Sequence, residues 1–496
     1  MGRHLLADLL RAGLPTAALV RDSQTHTASE RIDALLAEIE QSTGRLLPRP
    51  VVLAGSVNAA GFGLDRDGVD FMRTRVARVI HSAASLSFKP AETHPENEPY
   101  RTNVDGTRNL LAVLDEAGIG ELHAISTAYV CGLSEGTIAE AIGPQPQAFA
   151  NDYERSKWQA EQILADAGLP SLTITRPSIV IDSHDRAARS DRTIYSTLAT
   201  LKMLMNQFGP GEASDWTSLL GLDGSERKNV IEATWAARVI VEIVRHRSRH
   251  GGVTHITAPR GTSIGEMTEA FHAALVEAGE SRRPDADAGT SGPPPLKQSK
   301  PKQSNLKQSN LKQSNPMLDA MAAGFVQTFA PYFRDDPTFA HDRLDAAIDA
   351  TTAAAPPTID RETMRALAER MLAAEADPAE ATEPTPPVLD ADRLAGPPAA
   401  DAIGLVIAGP GGGDWSIANG RVAIGGGYDA PMRLFTRVDV WPDLAAGGRL
   451  TDAAARLDAS VECDDTDAAA AADRIEQAIA EALSPAAASE ASHVSV

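Results

Sequence analysis

Short apolar segments alternate with helical stretches over the first third of the sequence, and this alternation constrains the fold more than any other feature. The chain opens on helical spacing in residues 3–13, and apolar segments follow at Thr16–Val20, Val51–Ala54, Ala77–His81, Leu122–Ile125 and Leu172–Thr175. Strands that alternate with helices pack into a parallel sheet with helices on both faces. The sequence therefore predicts an α/β fold built on such a sheet.

Polar residues follow several of these strands, at the carboxyl ends where parallel sheets bind ligands. Three such groups are His81–Ala84, Ser126-Thr127 and Arg176-Pro177. A predicted helix then carries Tyr153 and Lys157 four residues apart, on one face. A free phenol titrates near pH 10, and a nearby ammonium lowers its pKa. The pair can therefore serve as a proton donor to a carbonyl oxygen; the alternative is a solvated helix face.

Composition excludes several classes of function. The 496 residues allow two to four domains, and a formal net charge of −21 disfavours non-specific binding to nucleic acid. Cys131 and Cys463 stand far apart, which indicates a reducing compartment rather than a disulfide scaffold or a metal-ligand cluster. No apolar run reaches the roughly 18 residues that span a bilayer, and no signal-peptide segment opens the sequence. We expect a cytoplasmic protein without stable membrane insertion.

Five short motifs occur in order and resemble those of one enzyme family. They are His81-Ser82-Ala83-Ala84, Asn103-Val104-Asp105-Gly106-Thr107, Ser126-Thr127-Ala128-Tyr129-Val130, Tyr153-Glu154-Arg155-Ser156-Lys157 and Arg176-Pro177-Ser178-Ile179-Val180. The set resembles the extended short-chain dehydrogenase/reductases over roughly residues 2–260, and within them the thioester reductase and fatty acyl-CoA reductase ("male sterility") branch. The resemblance implies a Rossmann-like doubly wound parallel sheet.

The resemblance also implies roles for individual residues. Thr127 would hydrogen-bond the substrate carbonyl oxygen, and Tyr153 would donate the proton. Lys157 would hold the nicotinamide ribose and lower the pKa of Tyr153, while Asn103 would support the proton path. Each has an alternative: Thr127 could simply cap the following segment, Ser126 is its rival for the catalytic role, and Asn103 could be a helix-surface residue.

Four residues are predicted to contact the cofactor besides Tyr153 and Lys157. By the resemblance, Ala83 and Ala84 would let the backbone approach it, unless they are ordinary core. Arg21 ends the second strand of the family pattern, where a guanidinium can meet a 2′-phosphate, so we expect NADP; the alternative is a solvated arginine. Gly2 matches the last glycine of the family's phosphate loop.

The sequence departs from the family pattern at its start. The first strand and the rest of the phosphate loop do not precede Gly2. Either the start site is assigned downstream of the natural one or the truncation is real. The expected sheet therefore lacks its first strand. A smaller departure is Ser56, where the family usually has an acid that meets the adenine.

Changes in composition divide the chain into six regions. We predict an NADP-binding reductase domain with a substrate cap at 1–280, a low-complexity linker at 281–316, a helical segment at 317–378 that docks on the reductase cap, and a Pro/Ala linker at 379–400. Residues 401–485 resemble a small α+β sterol-carrier-like lipid-transfer domain. Residues 486–496 are predicted to be a disordered tail.

The predicted function is an NADP-dependent reductase of an acyl thioester, presented as acyl-CoA or on an acyl carrier, or of another lipid carbonyl. One alternative is a dehydrogenase or epimerase of the same superfamily that acts on a sterol or sugar. The other is a non-catalytic lipid-binding protein that kept the old site residues. The sequence indicates no metal site.

Overall fold

A computed structural model describes residues 1–88, 97–182, 222–281, 334–349, 355–376, 401–446 and 459–483, with short gaps at 411, 419–420 and 465–467, and single residues between these ranges such as Tyr332. The predicted linker 281–316, apart from Ser281, and the predicted tail 486–496 lie outside the described residues. So do most of the predicted linker 379–400, residues 317–331 of the predicted docking segment, and most of residues 185–221 of the predicted cap.

The amino-terminal part begins with a helix and a two-stranded parallel sheet. Its elements are α1 (Gly2–Arg11), β1 (Ala17–Val20), α2 (Ala28–Thr43), β2 (Val51–Ala54) and α3 (Arg66–Arg75), and β1 pairs with β2. Thr27 and Glu30 form a capping box at the start of α2, so two backbone donors that a helix start leaves unpaired are satisfied.

A second, four-stranded parallel sheet carries the next part of the chain. Its order is β10-β6-β4-β3. The elements along the chain are β3 (Val79–His81), α4 (Gly106–Ala117), β4 (Glu121–Ile125), β5 (Thr137–Ile138), α5 (Asp152–Asp166), β6 (Ser171–Pro177), β7 (Ile179–Ile181), β8 (Arg227–Lys228), β9 (Val230–Glu232), α6 (Ala233–Arg245) and β10 (Gly252–Ile256). Two further pairs form outside this sheet, β7 with β9 and β8 with β11 (Thr262–Ser263).

Helices cover both faces of the two parallel sheets, as the alternating pattern predicts. On one face, α1 spans the two sheets, because Leu5 packs with Ile80 and Ile125 while Leu6 packs near Val20. On the other face, α3 and α4 bury their apolar sides against strands of both sheets. Within the described ranges no ladder joins β1 to β3. The predicted α/β fold with a Rossmann-like parallel sheet is thereby confirmed.

The chain returns to this domain after residue 331. Strand β12 (Thr338–Phe339) pairs in parallel with β5. Helix α8 (Asp342–Asp349) packs against β10 and α6, and α9 (Arg361–Ala376) packs along α7 (Ile264–Ser281). Both helices lie within the predicted helical segment 317–378, and β12 precedes them in the chain.

Residues 401–483 form a separate mixed sheet in the order β15-β14-β13-β16-β17. Its elements are β13 (Ile403–Ala408), β14 (Gly413–Ala418), β15 (Arg421–Ile424), β16 (Met432–Arg437), α10 (Trp441–Ala445), β17 (Ala459–Cys463) and α11 (Ala468–Ala482). The sequence did not indicate β17, which pairs with β16 in the middle of an Ala-rich stretch. The sheet contacts the reductase part where Arg75 pairs with Asp429 at 2.9 Å.

None of the helices within the described ranges combines the length and the apolar character that crossing a membrane requires.

Candidate active site

The predicted catalytic residues meet at the carboxyl end of β4. Asn151 caps α5 by accepting a hydrogen bond from the backbone N–H of Glu154 at 3.0 Å, and the first two turns of α5 carry Tyr153 and Lys157. The buried Lys157 ammonium donates to the carbonyl oxygen of Ile125 at 2.8 Å. Thr127 lies two residues farther along, and its hydroxyl hydrogen-bonds the Tyr153 phenol. Residues distant in sequence therefore form one cluster.

The structure separates Thr127 from its rival, Ser126. Both residues are buried. The Ser126 hydroxyl has no hydrogen-bond partner within the described part of the chain, and its backbone N–H donates to Thr175 in β6 at 2.7 Å. Thr127 also accepts a hydrogen bond from the backbone N–H of Tyr129 at 3.3 Å, so it caps the following turn as well as contacting Tyr153. Of the two hydroxyls, that of Thr127 is the one that contacts the phenol.

The pKa of Tyr153 departs from the sequence prediction. Burial raises this pKa, the hydrogen bond from Thr127 lowers it, and the charge of Glu154 raises it, so the net direction is upward. The predicted lowering by Lys157 does not dominate. Burial instead lowers the pKa of Lys157 to about 8. Tyr153 therefore keeps its proton at neutral pH, as a proton donor must.

Asn103 ties the loop after β3 to helix α5. It lies in a wide π-helical turn, Arg101–Asp105, a rare conformation that is frequent at functional sites. Its side-chain oxygen accepts from the backbone N–H of Ser85 at 2.8 Å, and its Nδ2 donates to Ser156 Oγ at 2.9 Å. Only 1% of Asn103 is exposed, so the alternative of a helix-surface residue is wrong.

The predicted cofactor residues lie along the open border between the two parallel sheets. Gly2 is the first residue of α1, where unpaired backbone N–H groups attract anions. A Cβ at Gly2 would lie 3.4 Å from Ser82 Oγ, so the helix start abuts the loop after β3. In that loop Ala83 and Ala84 are exposed, which excludes the ordinary-core alternative. Arg21, also exposed, follows β1 directly.

These observations fit a dinucleotide at this border. A helix N-terminus suits a pyrophosphate, small exposed residues leave room for a ring, and an exposed guanidinium suits a phosphate. Nearby His81 is buried, and burial lowers its pKa to about 3, so it adds no positive charge. Asn58 and Ser56, in the turn after β2, hydrogen-bond each other through the Asn58 backbone N–H at 3.2 Å.

Several residues of the site were missed by sequence reasoning. Glu154 is buried beside Tyr153, and burial raises its pKa to about 7. Its carboxylate accepts a hydrogen bond from Tyr332, and Asp336 accepts one from Tyr129, both at 2.6 Å. The partners are separated by 178 and 207 positions, so no local pattern could have paired them.

One cluster of potential metal ligands lies at the opposite, amino-terminal end of β4. Ligand atoms of Glu121, His123 and His250 lie within 4.8 Å of one another. Arg78 Nε lies 3.2 Å from Glu121 Oε1, the oxygen that also contacts His123 Nε2 at 3.1 Å. The carboxylate charge is therefore already paired with a guanidinium, and we interpret the cluster as an ion-pair network.

The fold and the family match of the amino-terminal region define the class of this protein as an NAD(P)-dependent oxidoreductase with a Rossmann-like sheet. Residues 1–240, just under half of the chain, match the family model described as male sterility protein, an NAD-binding family.

Three curated relatives match parts of the chain. An uncharacterized protein of Schizosaccharomyces pombe is 30% identical over 183 residues, 36% of this chain and 17% of that protein. Glycine betaine reductase ATRR of Emericella nidulans is 26% identical over 186 residues, 35% and 14% of the two chains. An undecaprenol-linked N-acetylglucosaminyl 4-epimerase of Escherichia coli O157:H7 is 33% identical over 100 residues, 19% and 29%. The matches span less than a third of each relative.

Two solved structures resemble the fold. The terminal R domain from the myxalamid PKS-NRPS pathway has a TM-score of 0.53 at 17% identity, covering 76% of this chain and 89% of that domain. A thiolation-reductase di-domain from an archaeal non-ribosomal peptide synthetase has a TM-score of 0.51 at 16% identity, covering 76% and 73%. These identities establish the fold alone. The sterol-carrier-like character of residues 401–485 stays a prediction.

Proposed function

We propose that the chain is an NADP-dependent reductase of an acyl thioester, presented by coenzyme A or by a carrier protein. The observation that carries this proposal is the contact between Thr127 and Tyr153, one helical turn from a buried Lys157, within a male sterility family domain. The fold likeness to two reductase domains of peptide synthetase systems supports a thioester substrate.

The roles of the side chains follow from their positions. Thr127 orients the carbonyl oxygen toward the phenol, and Tyr153 donates its proton to that oxygen as the carbon is reduced. Because burial and the nearby Glu154 carboxylate raise the pKa of Tyr153, the phenol reaches this step protonated. Collapse of the resulting thiohemiacetal releases the thiol and an aldehyde. NADPH, when bound, supplies the hydride.

The cofactor would be held along the border between the two sheets. Gly2 and the first turn of α1 would bind the pyrophosphate, and Ala83 and Ala84 would face the dinucleotide. Lys157 would hold the nicotinamide ribose beside Tyr153. Arg21 would pair with a 2′-phosphate, which is the reason to propose NADP rather than NAD.

The test is turnover of the full chain with NADPH, followed by the ultraviolet absorbance of the reduced nicotinamide. The substrates are a panel of acyl-CoAs and the same acyl groups on a phosphopantetheinylated carrier protein. We expect NADPH oxidation with release of free thiol and an aldehyde product identified by mass spectrometry. Tyr153→Phe should lower turnover by about 10²- to 10⁴-fold, whereas Tyr428→Phe, which removes a hydroxyl from the carboxyl-terminal domain, should not lower it. Tight NADPH binding without oxidation on any thioester would exclude this function.

A second candidate is an epimerase, which the match to the Escherichia coli 4-epimerase favours over 100 residues. An epimerase returns its hydride to the substrate, so it gives no net change in cofactor absorbance. Incubation with NAD and N-acetylglucosaminyl-diphospho-undecaprenol, followed by chromatographic separation of the epimers, separates the two candidates. Epimer formation would replace the reductase proposal.

A further inference from the structure

The chain segment that follows residue 331 reaches the catalytic cluster from outside the reductase sequence. We call Tyr332 and residues 334–339 the strap. Its strand β12 pairs with β5 of the reductase part. The Asp335 carboxylate accepts a hydrogen bond from the backbone N–H of Arg227 at 2.7 Å. The backbone N–H of Asp336 donates to the carbonyl oxygen of Arg227 at 2.9 Å. The strap is therefore fixed to two separate elements of the domain.

At one end the strap grips the first turn of α5. The Tyr332 hydroxyl donates to Glu154 Oε1 at 2.6 Å and accepts from Asn151 Nδ2 at 2.7 Å. Asn151 is the N-cap of α5, and Glu154 also accepts from the backbone N–H of Ala150 at 3.0 Å. The two residues that Tyr332 joins flank Tyr153 on either side in sequence. One phenol thus fixes the helical turn that carries the proton donor.

At the other end the strap grips the turn that follows Thr127. Asp336 Oδ2 accepts from the Tyr129 hydroxyl at 2.6 Å and from the backbone N–H of Asn229 at 2.7 Å. The other carboxylate oxygen pairs with the Lys228 ammonium. Tyr129 in turn donates its backbone N–H to Thr127 Oγ1. Tyr129 therefore links the strap to the Thr127 hydroxyl through two hydrogen bonds, one to Asp336 and one to Thr127.

Aromatic rings pack between the two hydrogen-bonded ends of the strap. Phe88 meets Tyr153 edge-on with ring centroids 5.5 Å apart, and it meets Tyr332 at 6.3 Å. The Tyr129 and Tyr332 rings are 6.0 Å apart. Edge-to-face contacts of this kind favour one relative orientation of the rings. The strap thereby reaches the catalytic phenol through packing as well as through hydrogen bonds.

We propose that Tyr332 and Asp336 are positioning residues, which together hold Thr127 and Tyr153 at the separation that proton transfer to a carbonyl requires. Thr127 follows β4 and Tyr153 lies on α5, so nothing in the local sequence fixes their distance. The strap is a third element that contacts the neighbours of both. The effect of Tyr332 and Asp336 on catalysis rests on the proposed reductase function, whereas their effect on the structure around Thr127 and Tyr153 does not.

A positioning role predicts effects on rate rather than on cofactor binding. A misplacement of about 1 Å between reacting groups can cost up to about a hundredfold in rate. Removal of the Tyr332 hydroxyl leaves the ring packing in place and frees one hydrogen bond to a buried carboxylate. We expect kcat to fall about tenfold in Tyr332→Phe, the size of a charged hydrogen bond. The KM for NADPH should not change, because the hydrogen bonds of the strap described above reach the first turn of α5 and the turn after Thr127 rather than Gly2, Arg21, Ala83 or Ala84.

The first experiment compares Tyr332→Phe with the unmodified full chain by hydrogen exchange and needs no substrate. Peptides that cover residues 149–158 should exchange faster in the variant, because the amides of Ala150 and Glu154 lose the arrangement that protects them. Peptides of the carboxyl-terminal sheet should be unchanged. Tyr428→Phe is the matched control, since Tyr428 is half-buried against Phe435 in the carboxyl-terminal part of the chain. Unchanged exchange at 149–158 would overturn the proposal.

The second experiment is a double-mutant cycle on kcat with Tyr332→Phe and Glu154→Gln. If both act through one hydrogen bond, the double variant should lose no more than the worse single variant. The Tyr332 hydroxyl stabilises the ionised Glu154, so Tyr332→Phe should also move the acid side of the pH–rate profile upward. Additive losses and an unmoved profile would show that Tyr332 only contributes stability. Absence of reductase activity in the unmodified chain would overturn the proposed function. The hydrogen-exchange result would still show whether the strap orders the first turn of α5.

Discussion

The catalytic side and the cofactor side of the site differ in how far their residues are buried and hydrogen-bonded within the protein. On the catalytic side, Asn103 and Lys157 are buried and hydrogen-bonded to other parts of the chain. On the cofactor side, Arg21, Ala83 and Ala84 are exposed. The first group is held by the fold before any ligand arrives. The second presents side chains and backbone to a ligand.

The difference follows from the sheet each side belongs to. The catalytic residues sit on the four-stranded sheet and on α5, which is pinned to β6 by a buried ion pair between Glu161 and Arg176 at 2.6 Å. The cofactor residues line the border between this sheet and the two-stranded one, where no ladder is formed within the described ranges. Changes on the catalytic side should therefore alter rate and stability. Changes on the cofactor side should alter cofactor affinity alone.

The largest expected effect is that of Tyr153→Phe, which removes the proton donor and keeps the ring. Positioned acids and bases contribute about 10²- to 10⁴-fold to rate, and we expect a loss in kcat within that range, with the Kd for NADPH unchanged within about twofold, because the catalytic side is preformed. Isothermal titration measures the Kd. A loss of NADPH binding equal to the loss of rate would show that the two sides are not independent.

Glu161→Gln should be the most destabilising change on the catalytic side. Glu161 and Arg176 are only 2% and 3% exposed at their side chains, and removing one partner leaves a buried charge without its counterion. We expect the free energy of unfolding in urea to fall by about 3–5 kcal/mol. The matched control is Arg108→Ala, which breaks the exposed pair with Asp105 and should change stability by less than about 0.5 kcal/mol. Equal effects of the two variants would contradict the contrast in burial.

The alkaline limb of the pH–rate profile should belong to Lys157. Burial lowers its pKa from 10.5 to about 8, so activity should fall as pH rises through 8 and the ribose-binding charge is lost. Stability should move the other way. Between pH 8 and 10.5 the unfolded state binds more protons at this residue, so the contribution of Lys157 to unfolding free energy rises with pH. In Lys157→Arg the limb should move to higher pH; an unmoved limb would assign it to another group.

Arg21→Ala should raise the KM for NADPH by about tenfold and leave the KM for NADH unchanged, because only NADPH carries the 2′-phosphate. Stability should not change, since the guanidinium is exposed. Arg11→Ala is the matched control: it removes another guanidinium near the amino terminus, one that pairs with Asp8. Identical KM values for NADPH in the Arg21 and Arg11 variants would leave the choice of NADP without support.

The sequence predicted the sheet, the helices around it and the meeting of Thr127 with Tyr153, because these depend on local periodicity and on motifs at strand ends. It missed Glu154, Tyr129, Tyr332 and Asp336. Their contacts depend on a segment that returns to the domain after about two hundred residues, and no local pattern records that return. It also misjudged the pKa of Tyr153, since spacing shows that an ammonium is near but not how deeply the phenol is buried.

The smallest expected effect is that of Ser126→Ala, and it tests how sharply the catalytic side is defined. The Ser126 hydroxyl is buried without a partner in the described part of the chain, so its removal should not weaken folding and should change kcat by less than about twofold. Thr127→Val, which removes the neighbouring hydroxyl and keeps the shape, should lower kcat by at least tenfold more, because that hydroxyl contacts the phenol. Measured side by side on one thioester, the two variants compare adjacent hydroxyls that differ in one contact. Equal losses would mean that the Thr127 contact is structural, and that the carbonyl oxygen is oriented by another group.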